Sequence, residues 1–187
     1  MGSNKKWDGL RFEVIQYCAE KGICESDFRF LGIYEWQNVY DRLLKTFVEE
    51  EYAAKHGLYW SNIEAGFRKD IHKIYSFMEG SENCASYEWI EKLPEIVKCE
   101  KIYLFLEEDK QTAKYWIAEC NPAVVHLIIN DAIYPTDYYM TKDYYMTKDY
   151  YMTNKKFDWL ITENHHDIVQ FIGKGLDINV IKAVCTK

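Results

Sequence analysis

The run Lys101–Glu107 reads KIYLFLE, and the nearby run Ala113–Glu119 reads AKYWIAE. Each is short, rich in aromatic and β-branched residues, and bounded by polar ones, which is the pattern of a strand buried in a sheet. The intervening Glu108-Asp109-Lys110-Gln111 is expected to be the turn of an antiparallel hairpin. Phe157–Glu163 (FDWLITE) and Ile168–Ile172 (IVQFI) have the same character, the second closed by Gly173 and Gly175. Between the two pairs, Asn121-Pro122 marks a helix start, with Asn as the cap and Pro at the first helical position. Val124, Val125, Ile128 and Ile129 would give that helix its buried side. The last segment, Leu176–Val184, fits either a short helix or a strand.

The first half has a different period. Trp7, Leu10, Val14 and Cys18, with Ile15 beside them, recur at three- and four-residue steps, so a helix is expected over about residues 5–21, closed by Gly22. Trp36, Val39, Tyr40, Leu43, Leu44, Phe47 and Val48 form a second stripe, predicting a helix over about 34–54. Ser61-Asn62-Ile63-Glu64 has the form of a capping box, and Ile63, Phe67, Ile71, Ile74 and Met78 follow at helical spacing, predicting a third helix over about 62–79 that ends at Gly80. Residues 80–86 read as the best internal linker, and a short helical turn is expected from Tyr87 to Leu93, before Pro94. Helices followed by strands mean an α+β fold: a helical N-terminal half packed on a mainly antiparallel sheet formed by the C-terminal half. The expected organisation is a single domain over 1–187, with 1–80 as the helical part and 100–175 as the sheet-forming part.

The chain has 187 residues, enough for a core that needs no covalent staples. Its 23 Lys and Arg stand against 30 Asp and Glu, a formal net charge of -7, which argues against nucleic acid or an anionic membrane as partner. No apolar run reaches the ~18 residues of a spanning helix, and no secretion signal opens the sequence, so a cytoplasmic location is expected. Cys18, Cys24, Cys84, Cys99, Cys120 and Cys185 contain no C-x-x-C pair, and are expected to be reduced and mostly packed, with Cys99 and Cys120 as candidate neighbours. The phosphate-loop, H-E-x-x-H and G-x-S-x-G patterns are missing, and no cofactor is expected.

Residues 137–154 read DYYMTK, DYYMTK, DYYMTN. Period six is even, so an extended strand keeps every residue on the same face from copy to copy. Asp137, Tyr139 and Thr141 then point one way; Tyr138, Met140 and Lys142 point the other. A long projecting strand, a meander of YYMT strands and a bulged loop all remain open. Tyrosine-rich, proline-free strands pair readily with other chains, so Tyr138, Tyr139, Tyr144, Tyr145, Tyr150 and Tyr151 are candidates for an intermolecular contact, including a homodimer formed through the repeat. The competing expectation is a tolerated duplication without a function of its own.

Glu163-Asn164-His165-His166-Asp167 concentrates acid–base and metal-capable groups in five residues. One reading is a polar or catalytic site, with His165, His166 and Asp167 as metal ligands. His56, His72 and His126 would be further ligands if the fold brought them near. A second reading is a hairpin turn in which Asn164 and Asp167 hydrogen-bond the backbone and a histidine caps the structure, and a third is a polar recognition patch. Glu107-Glu108-Asp109 is expected to be a solvated turn, and Glu49-Glu50-Glu51 a solvated helix end.

KIYLFLEED, AKYWIAE, the Asn-Pro helix, the paired tyrosines of DYYMTN and above all FDWLITENHHD resemble, over about residues 100–173, an uncharacterised bacterial family carrying a domain of unknown function. Such families are likened, by architecture and acidity, to small α+β immunity proteins of the SUKH type, which bind and neutralise toxins. The resemblance implies a protein partner and supplies no catalytic residues. Two function classes follow. The first is a non-catalytic cytosolic protein-binding module of immunity or antitoxin type, anchored by aromatic residues. The second is a metal-dependent or acid–base enzyme using Glu163, His165, His166 and Asp167.

Overall fold

A computed structural model describes residues 9–59, 63, 71–76, 87–109, 114–133, 149–164 and 168–184. Helix α1 is Leu10–Lys21. It ends as the sequence requires: Gly22 takes a left-handed φ of 69°, its amide donates to the Ala19 carbonyl, and the Ile23 amide donates to that of Cys18. Leu10, Val14 and Cys18 face the core, whereas Ile15 is exposed. At its start Gly9 has no capping side chain; the Glu108 carboxylate takes that role, accepting from the Leu10 amide at 3.2 Å and from the Trp116 indole at 2.9 Å.

The helix expected over 34–54 is two helices, α2 (Trp36–Phe47) and α3 (Glu50–His56). Val48 between them is extended and buried, and it forms an antiparallel bridge with Ile63. That tertiary pairing, together with burial of a β-branched side chain, outweighs continuation of the helix.

The helix expected over 62–79 is overturned where it can be seen: Ile71–Ser76 is strand β2, paired antiparallel with a later strand. A bulge explains the misleading period. It places Ile71 and Ile74, three apart in sequence, opposite Ile172 and Gln170, which are two apart. Apart from Ile63, the rest of that stretch, and the 80–86 linker, lie outside the described residues. A 3₁₀ turn (Tyr87–Lys92) leads into α4 (Leu93–Val97), which runs through Pro94 because proline is tolerated in the first helical turn.

The hairpin appears as β3 (Ile102–Asp109) and β4 (Lys114–Cys120), so Glu108 and Asp109 belong to the strand and not to the turn. Asn121 caps α5 (Pro122–His126) by accepting from the Ala123 amide, and a π-helical segment continues over Leu127–Ile133. Then follow β5 (Tyr150–Asn154), β6 (Trp159–Glu163), β7 (Ile168–Gly173) and α6 (Ile178–Val184). Asp177 caps α6 by accepting from the Asn179 and Val180 amides, which settles that segment as a helix.

With β1 (Phe28–Phe30), seven strands among the described residues form one antiparallel sheet in the order β1-β4-β3-β5-β6-β7-β2. The fold is α+β, as expected, but the first half contributes more than helices: it supplies both edge strands. The sheet is covered on both faces. Leu104, Leu106, Tyr150, Met152, Trp159, Ile161 and Phe171 pack against α1, α4, α5, the π segment and α6. Phe105, Ile117, Tyr151, Leu160 and Ile172 pack against Leu43 and Phe47 of α2, with Val48, Leu58 and Ile63. Two-sided burial is why KIYLFLE is apolar at nearly every position instead of alternating.

The β6–β7 pair needs Gly173. Its φ is +94°, and a Cβ there would lie 2.5 Å from the Asp158 carbonyl oxygen and 2.9 Å from the Trp159 Cα. Gly22 also has a positive φ, with nothing within 4 Å of a Cβ. Gly173→Ala is therefore expected to lose more than the ~1–3 kcal/mol of a strained backbone alone, and Gly22→Ala about 1 kcal/mol. Urea denaturation of the two variants checks the ranking; equal losses would show that the approach to β6 carries no cost.

Candidate functional site

The sequence places its chemistry at residues 163–167. Glu163 ends β6, half-buried, and accepts a hydrogen bond from the hydroxyl of Tyr150, its register partner on β5. Asn164 is buried; its Oδ1 accepts from the Ile168 amide at 3.1 Å and its own amide donates to the Ile168 carbonyl at 3.2 Å. Asn164 thus closes the β6–β7 connection, the backbone role given to it by the hairpin reading. His165, His166 and Asp167 lie outside the described residues. His56 ends α3, His72 lies in β2 and His126 ends α5, on three separate elements. Among the described residues no group of three or more His, Cys, Asp or Glu side chains is placed to hold a metal.

The tyrosines of the repeat divide. Tyr150 and Tyr151 are 2% and 0% exposed, inside the sheet, so these two cannot form the contact between chains expected of them. The reason is their strand: β5 lies between β3 and β6 and turns Tyr150 into one core and Tyr151 into the other. Tyr138, Tyr139, Tyr144 and Tyr145 lie outside the described residues.

A polar cluster that sequence reasoning missed sits on the α2 face of the sheet. Glu107 and Asp149 are 7% and 1% exposed, and the Glu107 amide donates to the Asp149 carbonyl at 3.1 Å. Register places Tyr115 opposite Glu107, and Tyr151 opposite Phe105. The rings of Trp36, Tyr40, Tyr115 and Tyr151 form a chain, with successive centroids 6.4, 5.8 and 6.0 Å apart. The Tyr115 hydroxyl donates to the Leu58 carbonyl at 3.0 Å, and the Tyr40 hydroxyl accepts from the Leu58 amide at 3.3 Å. Tyr151's hydroxyl lies near the Tyr115 phenol yet makes no hydrogen bond of ordinary length and angle. Burial, reinforced by the Glu107 and Asp149 carboxylates, pushes the Tyr115 and Tyr151 phenols well above the usual range. They stay protonated, as donors and as packing groups. Evenness of strand spacing hints that Tyr151 and Asp149 share a face, but nothing in the sequence brings residues 40, 107, 115 and 149 together.

The surface offers a different feature. Ile33 is 76% exposed, Tyr34 91% and Trp36 37%, in one short stretch that leads from edge strand β1 into α2. The stretch is pinned. Glu35 accepts from both terminal nitrogens of Arg29, at 2.9 and 3.1 Å, and from the Gly32 amide at 2.9 Å. The Arg29 guanidinium, and then the Gly32 amide, hold the Glu35 carboxyl down to about 2. Arg29 also approaches Glu119 at 3.6 Å, and Glu119 pairs with Lys155 at 2.8 Å. Cys120 is buried and Cys99 partly so, in one core cluster; burial pushes both thiols up, so neither is a reactive thiolate.

Two measurements check the tyrosine cluster. Tyr115→Phe removes a made hydrogen bond and is expected to cost about 1 kcal/mol, whereas Tyr151→Phe, which removes a hydroxyl without an ordinary partner, leaves stability equal or higher. Because the folded pKa values of both phenols lie above the unfolded one, their protons are held more tightly in the native state. Their contribution is complete below the unfolded value of ~10 and is lost as pH rises above it. Alkaline unfolding followed by tyrosinate absorbance should therefore show these two phenols ionising only with loss of the fold; ionisation in the native state would contradict their burial.

No curated protein and no solved structure matches the chain. Among the described residues no helix is long and apolar enough to cross a membrane. A model of a family of unknown function, DUF6756, matches residues 6–183, well beyond the stretch that carries the resemblance seen in the sequence, and the chain belongs to that family.

Proposed function

We propose that the protein is a non-catalytic protein-binding module of the immunity or antitoxin kind, and that it docks a basic protein partner through Ile33, Tyr34 and Trp36. The observation that carries this reading is a pair of largely exposed hydrophobic side chains, Ile33 and Tyr34, on a stretch held in place by Arg29 and Glu35. Aromatic anchors on a preorganised surface lose little conformational freedom on binding. The formal net charge of -7 favours encounter with a partner of opposite sign. The likeness to SUKH-type immunity proteins, which rests on α+β architecture and acidity, points the same way. Cys18, Cys24, Cys99 and Cys120 are free thiols, consistent with action in the cytoplasm.

The enzyme reading keeps less support: Glu163 and Asn164 are engaged with Tyr150 and Ile168, in the manner of a hairpin closure.

A photo-crosslinking residue at position 34, used in cells, would capture the partner, which is then purified and its affinity measured by calorimetry. Tyr34→Ala with Ile33→Ser is expected to weaken binding by about tenfold or more, with unchanged urea stability. A captured partner bound equally well by the double variant would contradict this docking surface. Turnover of a substrate that is abolished by His165→Ala or His166→Ala would contradict the non-catalytic reading.

A further inference from the structure

Strand β5 is the third copy of the hexapeptide repeat. Its position in the sheet reads five residues: Asp149, Tyr150, Tyr151, Met152 and Thr153, all at most 2% exposed. The Asp149 carbonyl accepts from the Glu107 amide, and the Tyr150 hydroxyl donates to Glu163. Met152 lies in the core on one face and Tyr151 in the core on the other. The Thr153 hydroxyl donates to the Trp159 carbonyl at 2.6 Å. The same five residues, DYYMT, recur at 137–141 and 143–147. Nothing that this position recognises by side chain distinguishes one copy from another.

The discriminating residue is the sixth. Asn154 Oδ1 accepts from the Asp158 amide at 2.9 Å, and its Nδ2 donates to the Asp158 carboxylate at 3.1 Å. This closes the tight connection to β6, in which Phe157 takes a positive φ of 64°. The first two copies carry Lys142 and Lys148 instead. A lysine has no acceptor for the Asp158 amide. A shift of six residues keeps every side chain on its own face, because the strand period is two.

We propose that the β5 position is a register-exchange slot: any of the three DYYMT copies can fill it, and the third is selected by Asn154 and the short connection to β6. A slip to the second copy removes six residues from the segment before β5 and adds six to the connection after it. Loop-closure entropy changes only slowly with length, so this transfer carries a small cost. The repeat is thereby a store of interchangeable strands, and chain length moves between opposite ends of the sheet without loss of either core. This inference is independent of the docking surface.

The test uses full-length variants. Met152→Asp puts an unpaired carboxylate into the core if the third copy stays in place. The proposal expects this variant to remain folded, with slow amide exchange moved from residues 150–153 to residues 144–147. It expects the triple variant Met140→Asp/Met146→Asp/Met152→Asp to unfold. If Met152→Asp unfolds as fully as the triple variant, or if the triple variant stays folded, the proposal is wrong. A milder variant gives a second reading. Asn154→Lys should lower the protection of the 150–153 amides about tenfold, as loss of one or two hydrogen bonds implies, without an equal fall at Ala118 in β4, the register partner of Leu104. An equal fall at both places, or no change at either, would overturn the proposal.

Discussion

One strand joins the two halves of this sheet. Without Tyr150–Asn154, β1, β4 and β3 would form one three-stranded sheet and β6, β7 and β2 another. Strand β5 satisfies backbone donors and acceptors of β3 on one side and of β6 on the other, in an interior where unpaired backbone groups cost a full desolvation penalty. Its side chains also tie together the two cores, Tyr150 and Met152 in one and Tyr151 in the other. Helices on both faces are therefore held to the same central strand, and the five residues of DYYMT are among the most constrained in the chain.

The remaining elements follow from closing that sheet. Its two edges are supplied by the first half: short β1 beside β4, and bulged β2 beside β7. Short and bulged edge strands are poor templates for uncontrolled pairing. The loop after β1 is held by Arg29 and Glu35, and Arg29 and Lys155 both approach Glu119. From α2, Arg42 donates to the Lys156 carbonyl at 3.2 Å and lies 4.6 Å from the centre of the Phe157 ring, clamping the β5–β6 connection. The surface proposed for docking is thus fixed by the same contacts that hold the sheet's edge and its central hairpin. Such fixed surfaces bind without a large ordering cost.

Much of this was legible in the sequence, because apolar runs and caps are local signals. KIYLFLE and AKYWIAE pair as expected, Asn121-Pro122 starts a helix, and the third repeat copy shows the predicted alternation of faces. The failures have a common cause in contacts between distant residues. Ile71 and Ile74 have helical spacing, yet β7 has an edge to pair and a bulge absorbs the odd step. Val48 interrupts a strong helical stripe because it bridges to Ile63. Glu107 looks like a turn residue and is buried, since Tyr115 and Asp149 reach it only through sheet pairing. Of the candidate polar segment, Asn164 takes the backbone role that the hairpin reading gave it, while Glu163 meets Tyr150, a residue the sequence had assigned to a surface.

The central claim is that β5 makes one cooperative unit of the two half-sheets. Native-state hydrogen exchange tests it directly by comparing Ala118 in β4, register partner of Leu104 in β3, with Ile161 in β6, register partner of Met152 in β5, both buried and on opposite sides of β5. A joined sheet predicts that the two amides exchange only by global unfolding, with equal opening free energies. Opening energies that differ by more than about 1 kcal/mol would mean that the half-sheets open separately, and would contradict the account.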